Sequence, residues 1–453
     1  MLESVNPATG QPAHKVESLD AAILKATIDR ADTAAKSWRK TSMAERAKIL
    51  NAVAETLRSQ KDAIGRLMTE EMGKPVKEAA PEVEKGAWCA EHYAEHAAEY
   101  LQDEIIASDA SKSYVSYQPL GAILCILPWN APVWVAMRGI VPALMAGNTV
   151  VMKHDPHVPA CAAALEQAFR AAGAPPDILC NLPIPTELAE AAIRHPAIQA
   201  VSFTGSTKAG SIVASTAASE IKHSVLELGG SDPFIVLADA DLEGAANIAV
   251  LSRTINAGQS CIAAKRIIIE APVYEKFVGM LKERLGKLTV GDPTLESTDI
   301  GPIARKDLRE NLHRQVTQTV EEGAECLLGG ELPDGPGFFY PCTLLAGVTP
   351  EMCAFNEETF GPVMVATRAE DADAALELAN HTPYGLGAAV WTADAEHALH
   401  FANEIEAGQV SINGIVKTDP RLPSGGTKRS GFGRELGPHG IREFTNAKQI
   451  WIK

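Results

Sequence analysis

Cysteine is scarce and scattered. Eight cysteines in 453 residues stand at positions 89, 125, 161, 180, 261, 326, 342 and 353. They form no C-x-x-C pair and no His-rich cluster, which excludes a disulfide-stapled scaffold and the common zinc spacings. Positive charge is also in deficit: 41 Lys and Arg face 57 Asp and Glu, a formal charge of −16. Binding to nucleic acid or to an anionic membrane draws on clustered Lys and Arg, so neither partner is expected. Met1-Leu2-Glu3-Ser4 has no basic stretch followed by an apolar run. No signal peptide is read there, and a reducing, cytoplasmic compartment is the expectation. No internal repeat, low-complexity segment or long linker interrupts the chain.

What is present is an ordinary globular composition, 46% hydrophobic and 22% charged, with a length that suggests about three domains. One stretch, Leu120 to Gly147, is apolar and long enough to cross a bilayer. It carries Pro128, Pro132 and Pro142 with Asn130 and Arg138. Proline breaks helices, so the stretch reads as a buried strand, a turn and a buried helix.

The first hundred residues read as helices, over 20–40, from Ser42 with a capping box to Glu45, and over 82–101. Short apolar runs then alternate with helical periods. Strands are expected at 122–127, 149–152, 178–182 and 198–203, with helices at 159–172, 187–194 and 206–218. A second alternation follows Leu228, with strands at 234–237 and 266–269 and helices at 242–256, 273–285 and 306–322. Strands at 113–118 and 449–452 complete the reading. Such alternation implies parallel, doubly wound sheets in an α/β fold.

Several segments carry chemistry. Phe203-Thr204-Gly205-Ser206 passes from a strand into a helix, where free N–H groups suit an anion such as pyrophosphate. Cys261 follows Gly258-Gln259-Ser260 in a small, polar stretch, and a nucleophilic Cys needs such exposure. Glu227 closes the strand Val225-Leu226-Glu227-Leu228, and a strand end in this fold faces the ligand crevice. A Cys nucleophile with a Glu base suits covalent catalysis followed by hydrolysis. Asn130, after Pro128-Trp129, can donate to an oxyanion. Lys153 ends the strand Val150-Val151-Met152.

Taken in order, these segments resemble the aldehyde dehydrogenase superfamily over nearly the whole chain, from Asn6-Pro7-Ala8-Thr9-Gly10 through Glu358-Thr359-Phe360-Gly361-Pro362 to Ser430-Gly431-Phe432-Gly433-Arg434-Glu435. The resemblance implies a Rossmann-like cofactor domain (1–102 and 120–228), a catalytic α/β domain (229–430) and a small β oligomerisation arm (103–119 and 431–453) joining a homodimer or homotetramer. It implies Cys261 as nucleophile, Glu227 as water activator and Asn130 with the Cys261 N–H as oxyanion donors. Trp129, Lys153, Gly205, Ser206, Leu228, Glu358 and Phe360 would line NAD or NADP, and no metal is implied.

Within the superfamily the chain is most similar to short bacterial-type succinate-semialdehyde dehydrogenases. That similarity rests on Met137-Arg138-Gly139, Gly229-Gly230-Ser231-Asp232-Pro233-Phe234, Cys261-Ile262-Ala263-Ala264-Lys265-Arg266 and Asp419-Pro420-Arg421-Leu422-Pro423. It makes Arg138 the grip on the substrate carboxylate, with Arg421 a second candidate; an internal ion pair is the rival role for Arg138. The chain departs from longer relatives in having Ile255 where a second arginine stands, and Ile262-Ala263 where a second cysteine stands. It also lacks the glutamate that NAD-preferring relatives carry at Pro156, which permits NADP, while the neighbouring Asp155 opposes it. The same chemistry on glutarate semialdehyde or an aromatic aldehyde is the nearest alternative. A CoA-acylating enzyme and a non-catalytic binding protein of the same fold stand further off.

Overall fold

Residues 1–453 are all described by the computed structural model. Two sheets carry the architecture. The first has six strands in the order Gly431–Phe432, His223–Glu227, Ile198–Thr204, Ala122–Leu127, Thr149–His154 and Leu179–Asn181. All neighbours are parallel except the Gly431–Phe432 edge, which runs antiparallel to His223–Glu227. The Ala122–Leu127 and Thr149–His154 strands are buried at every position. Their runs of Ile, Val, Leu and Met fit strands covered by helices on both faces.

The strand order reverses between Ala122–Leu127 and Ile198–Thr204. At such a switch point the chain opens a crevice beyond the carboxyl ends of the strands. Asn130, Lys153, Gly205 and Glu227 all sit at or just past those ends.

The second sheet has seven strands, in which Pro233–Val236 has Arg266–Glu270 and Gly387–Trp391 parallel on either side. Its one antiparallel pairing joins the Glu325–Leu328 edge strand to Thr343–Ala346. A third, three-stranded sheet pairs Lys112–Pro119 with Thr445–Ile452 along eight registered positions, and with Glu104–Ile105.

The N-terminus departs from the helical reading: Leu2–Asn6 and Gln11–Val16 form an antiparallel hairpin before the first helix. The turn Pro7-Ala8-Thr9-Gly10, with Gly10 at φ +72°, produces it. The helix expected over 242–256 ends at Thr254. Gly431–Phe432, expected in the arm, pairs within the six-stranded sheet, and the tail strand of the three-stranded sheet begins at Thr445.

The 120–147 stretch folds as a strand, a turn and the helix Trp134–Met145, all of whose residues are buried. No helix is long and apolar enough to cross a membrane. Arg138 is the only charge in that helix. A guanidinium held at 4% exposure demands a partner, because an unpaired buried charge is strongly destabilising.

Candidate active site

The loop that carries Cys261 is built on backbone strain. Asn256 and Ala257 hold φ of 56° and 54°, and Gly258 follows at 73°. Two consecutive non-glycine residues in the left-handed region each cost about 1–3 kcal/mol, so their surroundings must fix them. Glu78 Oε2 accepts the Asn256 N–H at 2.7 Å. The Asn256 amide donates to the carbonyls of Asn130 (2.8 Å) and Gln259 (3.1 Å). Arg253, fully buried, donates to the carbonyls of Gly258 (3.2 Å), Thr359 (3.0 Å) and Gly361. Gln259 Oε1 accepts the Ala304 N–H at 2.8 Å. This bracing ends the preceding helix early and presents Cys261, partly exposed, at the tip.

Around Cys261 the structure gathers the expected groups. Asn130 Nδ2 donates to the Gln259 carbonyl at 3.0 Å. That uses one of its two amide hydrogens. The Cys261 N–H has no acceptor within the protein. Burial pushes the Cys261 thiol up to about 12, against the pull of Arg138 and Lys265. It therefore rests protonated and needs a base. Glu227, at 3% exposure, ends its strand with Oε1 lacking any hydrogen-bond partner. Burial first, then the neighbouring Glu435, push its carboxyl up to about 8, where a general base at neutral to mildly alkaline pH belongs.

Arg138 does not stand free as a carboxylate clamp. Its Nε lies 2.6 Å from Glu435 Oε2, and both side chains are buried. Glu435 is fixed by a backbone pair with Ser424. The ion-pair role weighed for Arg138 is thus present through Nε, while Nη2 lacks any partner. Arg421 is likewise matched: it forms a two-pronged pair with Asp419 at 2.8 and 2.6 Å and points largely into solvent.

Of the expected cofactor residues, Ser206 and Glu358 line one cleft. Ser206 caps the helix Thr207–Ser219, its side chain accepting the Ala209 N–H. A cleft of about 640 Å³ opens there, lined by Ser206, Thr207, Lys208, Glu358, Tyr384 and Arg429 among others. A Cβ on Gly205 would strike the Phe203 ring at 2.6 Å, so only glycine fits. Leu228 packs on Gly210 of the same helix. Phe360 meets Trp129 edge to face at 5.8 Å. Lys153 is buried, which lowers its pKa. Free helix N–H groups beside Lys208 and Arg429 are the chemistry a dinucleotide pyrophosphate needs, so the cleft fits such a group.

Two residues with no expected role join the site. Lys265, 1% exposed, donates to the carbonyls of Ser260 (3.0 Å) and Cys261 (2.6 Å) and lies 3.6 Å from Glu358 Oε1. Glu358 also accepts the Gly230 N–H at 3.1 Å. Glu435 is the other. Both stand inside quoted motifs, and a charge in an otherwise small or apolar segment was the available signal.

Residues 1–450 match the aldehyde dehydrogenase family. The chain belongs to that family. It is 46% identical over 451 residues to a probable NADP+-dependent succinate-semialdehyde dehydrogenase of Synechocystis sp., covering all of this chain and 99% of the relative. The NADP+-dependent succinate-semialdehyde dehydrogenase of Mycobacterium avium is 44% identical, with 100% and 96% covered. Among solved structures, the succinic semialdehyde dehydrogenase of Streptococcus pyogenes in complex with NADP+ superposes with a TM-score of 0.97 at 34% identity, over the full length of both chains. As a family member, this aldehyde dehydrogenase is an NAD(P)-dependent oxidoreductase acting on an aldehyde.

Proposed function

We propose that the enzyme oxidises succinate semialdehyde to succinate with NADP, through a thioester on Cys261. The observation that carries this reading is the buried Arg138 guanidinium, close enough for its charge to pull on the Cys261 thiol, with Nη2 free of any protein acceptor. A cation buried beside the nucleophile favours an aldehyde that brings its own negative charge. The relatives named above act on such an aldehyde.

Glu227 takes the thiol proton, and Cys261 Sγ bonds to the aldehyde carbon. The second Asn130 amide hydrogen and the free Cys261 N–H receive the oxyanion. When bound, the nicotinamide supplies the acceptor for the hydride that leaves that carbon. Glu227 releases the thiol proton to solvent and then takes a proton from water, whose oxygen attacks the thioester carbonyl. The C–S bond breaks, succinate departs, and the proton returns to sulfur.

NADP is supported by the loop after Lys153. Pro156 offers no carboxylate. Burial works against the Asp155 charge, yet His157 holds its pKa below the usual range, with Oδ1 taken by the His157 N–H (2.9 Å) and Nδ1 (2.6 Å). Asp155 is thereby engaged within its own loop. The three-stranded sheet, with Ile105, Trp451 and Ile452 exposed, is the surface that would pair with a neighbouring subunit.

The test is initial rate with succinate semialdehyde and with butanal, each with NADP and with NAD. Preference for the semialdehyde with NADP supports the reading. Equal or better use of butanal discards the substrate, and a preference for NAD discards the cofactor.

A further inference from the structure

A cavity of about 510 Å³ opens beside the helix that carries Arg138, lined by Lys85, Trp88, Lys417, Thr418, Asp419 and Arg421 among others. Its carboxylates are already engaged. Arg58 takes Glu84 at 2.6 Å and reaches Glu91, and Arg421 takes Asp419. Lys85 and Lys417 have no carboxylate within 4.0 Å. In a chain of net charge −16, two unmatched ammonium groups in one cavity form a local reversal of sign.

Lys85 is the more deeply set of the two. It stands on Val76–Tyr100, the helix packed on Trp134–Met145, and its Nζ lies 4.1 Å from the centre of the Trp134 ring. Arg138 is one turn beyond Trp134 on the same helix face. Burial first, and then the Arg138 charge, push Lys85 down to about 8, so the two cations lie near one another. The Arg138 charge acts on both Lys85 and Cys261, so the three side chains share one region of the protein.

The hydroxyl of Thr418 completes the arrangement. Its Oγ1 accepts from Lys85 Nζ at 3.1 Å and from Trp134 Nε1 at 2.8 Å. A hydroxyl has two acceptor positions and one hydrogen to give. With both acceptor positions filled, Thr418 can only donate, and no protein acceptor takes that hydrogen. Thr418 is 5% exposed, and a buried donor without a partner is costly. An ammonium with spare hydrogens beside an obligate O–H donor is a site built for an anion.

We propose that Lys85 and Thr418 hold the distal carboxylate of the substrate, Lys85 supplying the charge and Thr418 a hydrogen bond. The assignment rests on the reading of the substrate as an aldehyde bearing a distal carboxylate. It makes Lys85 a specificity residue that supplements Arg138, whose own charge is largely answered by Glu435.

The experiment measures KM and kcat for succinate semialdehyde and butanal in the wild type, Lys85→Met and Lys85→Arg. Methionine keeps the apolar stem on Trp134 and removes the charge. Losing a charged hydrogen bond predicts a KM for the semialdehyde raised about 10- to 100-fold in Lys85→Met. Butanal kinetics stay unchanged, and Lys85→Arg recovers most of the loss. A second readout needs no turnover: succinate slows iodoacetamide labelling of Cys261 in the wild type and ceases to do so in Lys85→Met. A Lys85→Met enzyme that loses both aldehydes alike, or neither, overturns the assignment. A wild type that shows no preference for the semialdehyde overturns the substrate reading itself, independently of any variant.

Discussion

The strongest quantitative consequence concerns Glu227 and its neighbour Glu435. The base must be ionised to take a proton from water. Because its carboxyl is raised to about 8, activity limited by thioester hydrolysis rises as pH rises through that value. Roughly a tenth of Glu227 is ionised at about pH 7 and roughly nine tenths at about pH 9, which predicts an increase of about tenfold across that span. Glu435→Gln is the informative perturbation. It removes the charge that ranks second, after burial, in raising Glu227, and it frees Arg138, whose charge lowers it. Both changes act in the same direction. A charge at such range shifts a pKa by about 1–3 units, so the variant should hold its activity down toward about pH 6 and lose most of the rise above it. The assay is steady-state formation of reduced cofactor against pH at saturating aldehyde. A rapid-mixing burst serves as control: a burst followed by slower turnover shows that hydrolysis limits the rate. Glu227→Gln should keep the burst and lose the steady state. An unchanged pH profile in Glu435→Gln would refute the argument that Glu435 sets the base, and a Glu227→Gln enzyme with full steady-state turnover would refute the role of Glu227.

Arg138→Met should act on the same titration in the opposite sense. It leaves Glu435 and Glu227 without their shared cation, so the alkaline rise moves to higher pH and turnover near neutrality falls by about tenfold or more for the neutral aldehyde, and further for the semialdehyde, which also loses a cation beside Cys261; a pH profile on both substrates checks this. Breaking a buried pair should also cost about 3–5 kcal/mol of stability, read by urea unfolding. Gly258→Ala should unfold more readily by more than about 2 kcal/mol, since a Cβ at φ +73° would meet the carbonyls of Gly361 and Arg253; unfolding at wild-type denaturant concentration would contradict the bracing described for the nucleophile loop. Arg421→Ala should leave kcat/KM for the semialdehyde within about twofold, because that side chain already spends its charge on Asp419 at the surface; a tenfold loss would restore it as a substrate ligand.

The division between what the sequence discloses and what it hides follows the range of the forces. Strands such as Ala122–Leu127 and Arg266–Glu270 announce themselves because burial on both faces demands an unbroken apolar run, which is a local property. Cys261, Glu227 and Asn130 are legible for a related reason. Each stands where a strand or helix gives way to small, polar residues, and in a doubly wound sheet those places converge on the same crevice. The hairpin Leu2–Val16 was hidden because its strands are short and half exposed, with little periodicity to read. The left-handed turn at 256–258 was hidden because nothing in Asn-Ala-Gly requires it; Glu78, Asn130 and Arg253 impose it from distant parts of the chain.

Charge pairing is the extreme case. Arg138 inside an apolar helix declares that it needs a partner, but nothing local says whether that partner is a ligand or Glu435. The fold answers by bringing the Ser424–Glu435 bridge under the helix, and the answer changes the chemistry. A cation that balances two carboxylates tunes a base, whereas one without a partner selects an anion. By that criterion Arg138 belongs chiefly to Glu227 and its proton transfers. Lys85 carries no sequence signal beyond being one lysine on an amphipathic helix, yet it is the deeply set cation in this region that the protein leaves unanswered. Substrate charge selection should therefore follow Lys85 as well as Arg138, and the pH dependence of turnover should follow Arg138 alone. The two variants, measured on the same pair of aldehydes, should separate those properties.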